Sequence, residues 1–271
     1  MSDRVICTIK GGVADVRLNR PEKMNALDPA MFAAIDAVGE RLKAEPGLRA
    51  VVLSGEGRAF CAGLDFGSFE VMAGGGGGDR SPNPEGNPGL MKDGRITHVG
   101  QQVAWVWQEL NVPVIAAVHG VALGGGIQIA LGADMRIVTP DVRMSVLEIR
   151  WGLVPDMSGT VMLSRLVRPD VAKELAMTGR MVGGEEAVRI GLATRVSENP
   201  HADAMTLAQE IAGRSPEAVR GIKFLVDHAG EASPAEQFAE ERRVIGSLIG
   251  SANQREAVTA YFEKRDPVFS D

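Results

Sequence analysis

Apolar residues recur along the first part of the chain with two different periods. The β-branched runs at residues 5–9 and 13–18 flank Gly11-Gly12, a pattern that predicts a β-hairpin. Residues 29–43 carry apolar side chains three to four positions apart, which predicts an amphipathic helix. Three further compact apolar runs predict strands, at residues 50–53, 112–118 and 135–138. Because strands and helices alternate, we predict an α/β fold around a buried sheet.

The pattern becomes helical throughout from about His201 to the end. Its apolar spacing predicts four helices, at residues 205–212, 218–229, 235–249 and 254–264. We therefore divide the chain into a core at residues 1–200 and a helical region at residues 201–271. The helical region is expected to provide an oligomerisation surface.

A stretch rich in glycine and proline at residues 73–89 interrupts the core. Such a composition predicts a flexible loop. The alternative is a phosphate cradle, but the stretch lacks the Lys-Ser/Thr ending of a P-loop and a strand and helix on either side.

Composition and charge narrow the class of protein. The net charge is −6, with no dense cluster of Lys and Arg, which argues against a surface for nucleic acid or anionic membrane. The longest apolar run falls well short of the roughly 18 residues that a membrane span needs. Two cysteines, Cys7 and Cys61, are too few for a disulfide framework or a cysteine-rich metal site. With no secretory pattern at the start, we expect a cytoplasmic protein.

Several common enzyme signatures are missing from the sequence. It contains no GxSxG elbow, no HExxH pair and no GxGxxG that opens a helix. The four histidines are widely scattered, and His119, at the end of a predicted strand, is interpreted as structural.

The segment from Gly120 to Gln128 carries the clearest candidate chemistry. It contains Gly124-Gly125-Gly126 between a predicted strand and a helical run, so it predicts backbone N–H groups exposed at a helix N-terminus. Such a site can hold a phosphate, a carboxylate or an oxyanion.

A second segment, Ala62-Gly63-Leu64, follows another predicted strand. Its small residues allow close approach of a second group, so the N–H of Leu64 could converge with that of Gly125 on one oxyanion. The plainer alternative is two tight turns without a ligand.

Taken in order, these segments resemble the crotonase superfamily, the enoyl-CoA hydratase/isomerase family. The resemblance is carried by LNRPEKMNAL at 18–27, RAFCAGLD at 58–65, residues 116–128, WGLVPD at 151–156 and the ending YFEKRDP at 261–267. It implies a crotonase-like spiral of ββα units followed by a helical C-terminal trimerisation region. It also implies an acyl-CoA substrate, no cofactor or metal beyond the coenzyme A of that substrate, and a homotrimer or dimer of trimers.

The resemblance also assigns residues to the site. Leu64 and Gly125 correspond to the two backbone donors of the oxyanion hole. The residues implied in substrate and CoA binding are Lys23, Met24, Ala26, Ala62, Gly63, Asp65 and Gln128.

The acid and base positions depart from the pattern of a typical hydratase, which has two glutamates 20 residues apart. Glu148 stands at the later position, but Gln128 stands at the earlier one and cannot take up a proton near neutral pH. A single base can still move a proton between two carbons, so we predict a double-bond isomerase, with enoyl-CoA hydratase as the alternative.

Asp156 is the second predicted catalytic carboxylate. Its spacing of eight residues from Glu148 resembles the dienoyl-CoA isomerase branch, which typically carries an aspartate where this chain has Gln128. In the plainer alternatives Asp156 is a helix N-cap and Glu148 a solvated carboxylate at a strand end. A non-catalytic acyl-CoA-binding protein, a hydrolase and an enzyme of C–C bond cleavage also remain open.

Overall fold

The computed structural model describes residues 4–65, 67, 91 and 94–271, and the predicted loop at 73–89 lies outside these ranges. Ten helices and eight strands fall within the described part of the chain. The strands are β1 (Val5–Lys10), β2 (Val13–Leu18), β3 (Ala50–Gly55), β4 (Val114–Val118), β5 (Val121–Leu123), β6 (Met135–Val138), β7 (Arg143–Ser145) and β8 (Arg195–Val196).

Six strands form one sheet in the order β1-β2-β3-β4-β6-β8, and β5 pairs with β7 in a second, two-stranded sheet. The predicted hairpin is confirmed, since β1 and β2 pair antiparallel around Gly11-Gly12. All other pairs in the large sheet are parallel. The central strand β4 is buried at every residue, as expected for a parallel strand covered on both faces.

The helices confirm the alternating α/β pattern. They are α1 (Pro29–Lys43), α2 (Val99–Trp105), α3 (Gly125–Leu131), α4 (Gly159–Leu166), α5 (Pro169–Thr178), α6 (Gly184–Arg189), α7 (Pro200–Ala212), α8 (Pro216–Ala229), α9 (Pro234–Leu248) and α10 (Ala252–Glu263). The predicted bounds of α1 are correct: the Asp28 side chain caps it by accepting from the N–H of Met31 at 2.8 Å, and Pro29 opens its first turn. The strand predicted from residue 112 begins instead at Val114.

The last four helices agree with the predicted helical region, and the first of them packs on the large sheet. Ala204 and Ala208 of α7 are fully buried in one apolar cluster with Val52 and Ile115. Helices α8 to α10 expose large apolar side chains at Ile222, Phe224, Val226, Phe238, Ile245 and Val258. The boundary at residue 200 stays a prediction. Within the described ranges, no helix has the length and apolar character that crossing a membrane requires.

Candidate active site

The glycine hinge lies between the small sheet and α3. Strand β5 ends at Leu123, and α3 begins two residues later at Gly125. Gly124 joins them with φ 53° and ψ −121°, a conformation that only glycine adopts readily. Its N–H donates to the carbonyl of Ser145 at 2.9 Å, which attaches the hinge to β7.

The segment after β3 runs alongside this hinge. Cys61 pairs parallel with Ala122, and the N–H of Leu123 donates to the carbonyl of Cys61 at 3.1 Å. Two residues further on, Gly63 has φ +88°, and a Cβ placed there would lie 2.5 Å from the carbonyl oxygen of Leu123 and 3.7 Å from the nitrogen of Gly125. The close approach predicted from the small residues is therefore real, and it requires glycine.

This packing brings the two predicted oxyanion donors together. Leu27 forms backbone hydrogen bonds with both neighbours of Leu64. Its N–H donates to the carbonyl of Gly63 at 2.8 Å, and its carbonyl accepts from the N–H of Asp65 at 3.0 Å. Among the described residues, the N–H groups of Leu64 and Gly125 have no hydrogen-bond acceptor. The N–H of Gly125 also lies in the first turn of α3, where the helix dipole is positive.

The predicted CoA-binding residues occupy two segments that are bonded to each other. The N–H of Ala62 donates to the carbonyl of Met24 at 2.9 Å. Met24 has a left-handed backbone, with φ 49°. Of the residues beside it, Lys23 is exposed and Ala26 is buried.

Asn25 holds these segments together, a role that the sequence reasoning missed. It is fully buried, its backbone is also left-handed (φ 56°), and its side-chain N–H group donates to the carbonyl of Ala59 at 2.8 Å and of Phe60 at 3.2 Å. Its side-chain oxygen accepts from the N–H of Arg20 at 2.8 Å. An asparagine within a short polar loop is the signal that could have revealed it, because this residue tolerates the left-handed region.

Asp65 is the last residue of the second predicted CoA-binding segment, and its carboxylate is bonded to protein groups. It accepts from Arg20 at 2.8 Å and from the N–H of Gly67 at 2.9 Å. The hydrogen bond from Gly67 and then the charge and hydrogen bond of Arg20 lower the pKa of the Asp65 carboxyl.

Glu148 begins a short 3-10 turn, Glu148–Trp151, next to the hinge. Its Oε1 accepts from Nε2 of Gln128 at 2.6 Å, and a Cβ placed on Gly124 would lie 3.4 Å from that oxygen. Its Oε2 is buried without a hydrogen-bond partner among the described residues. The alternative of a solvated carboxylate at a strand end is therefore wrong.

Burial raises the pKa of the Glu148 carboxyl, and the charge of Asp156 raises it further, whereas hydrogen bonds from its own backbone N–H, from Gln128 and from the backbone of Leu147 lower it. A carboxyl with a raised pKa is suited to exchanging a proton near neutral pH. Asp156 itself is exposed. It is not a helix N-cap, because α4 begins at Gly159 and its N-cap is Ser158.

Gln128, predicted to contact substrate, has no exposed surface. Its Oε1 accepts from the N–H groups of Met157 at 2.9 Å and Gly159 at 3.0 Å, while its Nε2 faces Glu148. All three groups belong to the protein, so the expected contact with substrate is replaced by a contact with Glu148.

His119 has a contact typical of a structural histidine. Its Nε2 lies 3.0 Å from the carbonyl oxygen of Gly57, at the turn after β3.

In the described part of the chain, no three His, Cys, Asp or Glu side chains are grouped as metal ligands would be.

Two main-chain donors without an acceptor among the described residues, with a carboxylate alongside, form an arrangement that can stabilise an oxyanion and exchange protons next to it. Comparison with known proteins identifies the family. The sequence model described as enoyl-CoA hydratase/isomerase matches residues 8–271, and the chain belongs to this family, within the crotonase superfamily.

Individual relatives match along nearly the whole length. The chain is 32% identical to the short-chain-enoyl-CoA hydratase of Clostridium acetobutylicum, over 97% of this chain and 96% of that protein. It is also 32% identical to the carnitinyl-CoA dehydratase of Proteus mirabilis, with 98% of each chain covered. A crystal structure of enoyl-CoA hydratase from Mycobacterium smegmatis superimposes with a TM-score of 0.82 at 30% identity, again over 98% of each chain.

Proposed function

We propose that the protein catalyses the reversible addition of water to a 2-enoyl-CoA. The observation that carries the proposal is the buried Oε2 of Glu148, near the N–H donors of Leu64 and Gly125, with none of the three groups paired among the described residues. The names of the relatives, hydratase and dehydratase, support hydration over the isomerisation that Gln128 led us to predict from sequence. We therefore take the hydratase alternative as the main function.

The N–H groups of Leu64 and Gly125 hold the thioester oxygen. As water attacks the β-carbon, the conjugated system shifts electrons onto that oxygen, and an enolate forms. Both donors and the positive end of α3 stabilise this charge, and each donor is worth about 3 kcal/mol of barrier.

Glu148 moves the proton. Its Oε2 accepts a proton from water as the new C–O bond forms, and the same carboxyl then returns the proton to the α-carbon of the enolate. One water molecule has then supplied both the hydroxyl and the proton, and the carboxylate is restored. Gln128 carries no proton in these steps, so the lack of a second glutamate does not prevent hydration.

Isomerisation of a 3-enoyl- or 3,5-dienoyl-CoA is the second candidate. It uses the same enolate, with Glu148 removing a proton from one carbon and returning it to another. Asp156, whose charge acts on Glu148, would serve as the acid for an extended conjugated substrate. The specific observation in its favour is Gln128, which lacks the proton capacity of a second glutamate.

Binding of coenzyme A and assembly belong to the same proposal. The CoA moiety lies against the segments Lys23–Ala26 and Ala62–Asp65, with the exposed ammonium of Lys23 available to a phosphate. The apolar side chains exposed on α8 to α10 support a homotrimer or a dimer of trimers, because apolar surface of this extent is normally covered by a partner.

Turnover of two substrates tests the proposal. Purified protein should remove the conjugated absorbance of crotonyl-CoA faster than it creates such absorbance from a 3-enoyl-CoA; the opposite order would make isomerisation the main activity. Glu148→Gln should lower kcat on crotonyl-CoA by about 10²- to 10⁴-fold and leave binding of a saturated acyl-CoA within about threefold. The matched control Glu185→Gln, at an exposed carboxylate in α6, should retain full turnover. Tight binding of acyl-CoA with no turnover of either substrate would overturn both functions in favour of a non-catalytic binding protein.

A further inference from the structure

Three hydrogen bonds determine the orientation of the Gln128 amide. Two of its partners are the backbone N–H groups of Met157 and Gly159, which can only donate. The atom that faces them must therefore be the amide oxygen, and the NH₂ group must face Glu148. A flipped amide would place its NH₂ group against two N–H groups and its oxygen against a carboxylate oxygen.

This orientation makes the two oxygens of Glu148 unequal. Oε1 always accepts a hydrogen bond from Gln128, whereas Oε2 has no partner among the described residues. A proton on this carboxyl therefore resides on Oε2. The same amide connects Glu148 to Met157 and Gly159 at the start of α4, a few residues after Asp156.

We propose that Gln128 is a positioning residue, which holds Glu148 with Oε1 as a permanent acceptor and so reserves Oε2 for proton exchange with the substrate. The inference rests on the proposed function for the reaction, but the orientation of Glu148 can be tested without turnover. A carboxylate in place of the Gln128 amide could not donate this hydrogen bond to Oε1 of Glu148. Two carboxylates at 2.6 Å would share a proton, because both cannot remain ionised at that distance.

In the described part of the chain, the charged groups near Glu148 come from its own turn, from α5 and from Asp156. Helix α3, which carries Gln128, has no titratable residue. The turn of Glu148 itself carries Arg150, and α5, which packs against this turn, carries Asp170, Lys173 and Glu174. Among charged groups, Asp156 has the largest Coulombic effect on the pKa of Glu148, and it raises that pKa. Loss of the Gln128 hydrogen bond therefore removes one group that lowers this pKa, and it leaves burial and Asp156 opposed only by the backbone hydrogen bonds from Glu148 and Leu147.

The first test replaces Gln128 by methionine, which has a similar length and no hydrogen-bonding amide. Gln128→Met should lower kcat on crotonyl-CoA by about 10²-fold, keep KM within about threefold and shift the acid limb of the kcat profile to higher pH. The matched control is Gln102→Met. Gln102 is also fully buried in a helix and also donates to a carboxylate, Glu109, at 2.7 Å. Its replacement should lower the Tm similarly and leave the acid limb in place.

A titration separates this inference from the proposed function. With the carboxyl carbons of glutamate labelled with ¹³C, NMR should show the pKa of Glu148 raised in Gln128→Met and unchanged in Gln102→Met. An unshifted Glu148 in Gln128→Met overturns the positioning role, whatever the turnover. A shifted Glu148 in a protein that turns over no enoyl-CoA upholds the role and overturns the proposed function instead.

Gln128→Glu is the second variant, in case the methionine variant does not fold. Its new carboxylate should couple with Glu148, so that the pair titrates in two widely separated steps by the same NMR measurement. Two independent titrations near the ordinary carboxyl pKa would show that the two side chains are not held together and would overturn the inference.

Discussion

Arg20, just before the segment Lys23–Ala26, donates a 2.8 Å hydrogen bond to Asp65 in the other segment that we assign to CoA binding. The same guanidinium nitrogen of Arg20 also donates to the carbonyl of Ala26 at 3.1 Å. Only 12% of the Arg20 side chain is exposed, so this ion pair is shielded from water more than most surface pairs. One side chain thus sets the distance between two chain segments that are far apart in sequence.

Loss of the hydrogen bond between Arg20 and Asp65 should weaken substrate binding more than it slows the chemical step. In Arg20→Met we expect KM for crotonyl-CoA to rise about tenfold, kcat to change little, and the free energy of unfolding in urea to fall by about 1–2 kcal/mol. Arg168 provides the control, since its pair with Asp170 is exposed. Arg168→Met should leave all three quantities unchanged within error. A fall in kcat without a change in KM would contradict this role.

Asn25 allows backbone strain to be separated from hydrogen bonding. Asn25→Gly removes the buried amide but tolerates φ 56°, and it should destabilise the protein by about 2 kcal/mol. Asn25→Ala also forces a Cβ into the left-handed region, so it should cost about 1 kcal/mol more in the same urea unfolding experiment. Equal losses for the two variants would show that the loop relaxes away from this backbone conformation.

Gly63→Ala should damage the proposed oxyanion hole directly. The added Cβ would meet the carbonyl oxygen of Leu123, which is main chain and cannot rotate away, so the donors at Leu64 and Gly125 must separate. We expect kcat/KM on crotonyl-CoA to fall about 10²-fold or more. Gly246 in α9 is the control, because a Cβ there meets nothing within 4 Å. Gly246→Ala should keep full activity and gain about 0.5–1 kcal/mol in stability. Retained activity in Gly63→Ala would exclude the proposed pair of donors.

The raised pKa of Glu148 has a consequence for stability. The folded state disfavours the ionised carboxylate, so the contribution of Glu148 is most favourable below the ordinary carboxyl pKa and is lost as pH rises through the folded-state value. Glu148→Gln should therefore have a higher Tm than the unmodified protein at neutral pH, and the difference should vanish at strongly acidic pH. Thermal unfolding across this range measures the effect, with Glu185→Gln expected to show no such trend. A lower Tm for Glu148→Gln at neutral pH would contradict the direction of the pKa shift.

The architecture was predictable because its signals are local and periodic. The hairpin around Gly11-Gly12, the helix at Pro29–Lys43 and the helical end of the chain follow from the spacing of apolar residues alone. Strands β5 and β7 were not predicted, since three residues are too few to show a period. Their pairing becomes visible only when the chain segments around them are packed.

The candidate site was predictable in part, and there is a physical reason why some of its residues could be predicted and others could not. Gly63 stands out because its close approach to the main chain of Leu123 demands glycine, which a sequence displays directly. The role of Gln128 depends on which atoms face Met157, Gly159 and Glu148, and no spacing reveals that. Asp156 was ambiguous for the same reason, because the start of the following helix had to be known to exclude the cap.

Because Cys61 pairs in parallel with Ala122, the proposed anion site depends on the register of this pairing as much as on residue type. Both donors are main-chain N–H groups, so the Leu64 side chain can be exchanged for another apolar one without removing a donor. A shift of this pairing by one residue is different, because successive residues of an extended segment face opposite ways. A variant whose pairing at Cys61 is shifted by one residue should therefore lack the proposed activity, even where every glycine is retained.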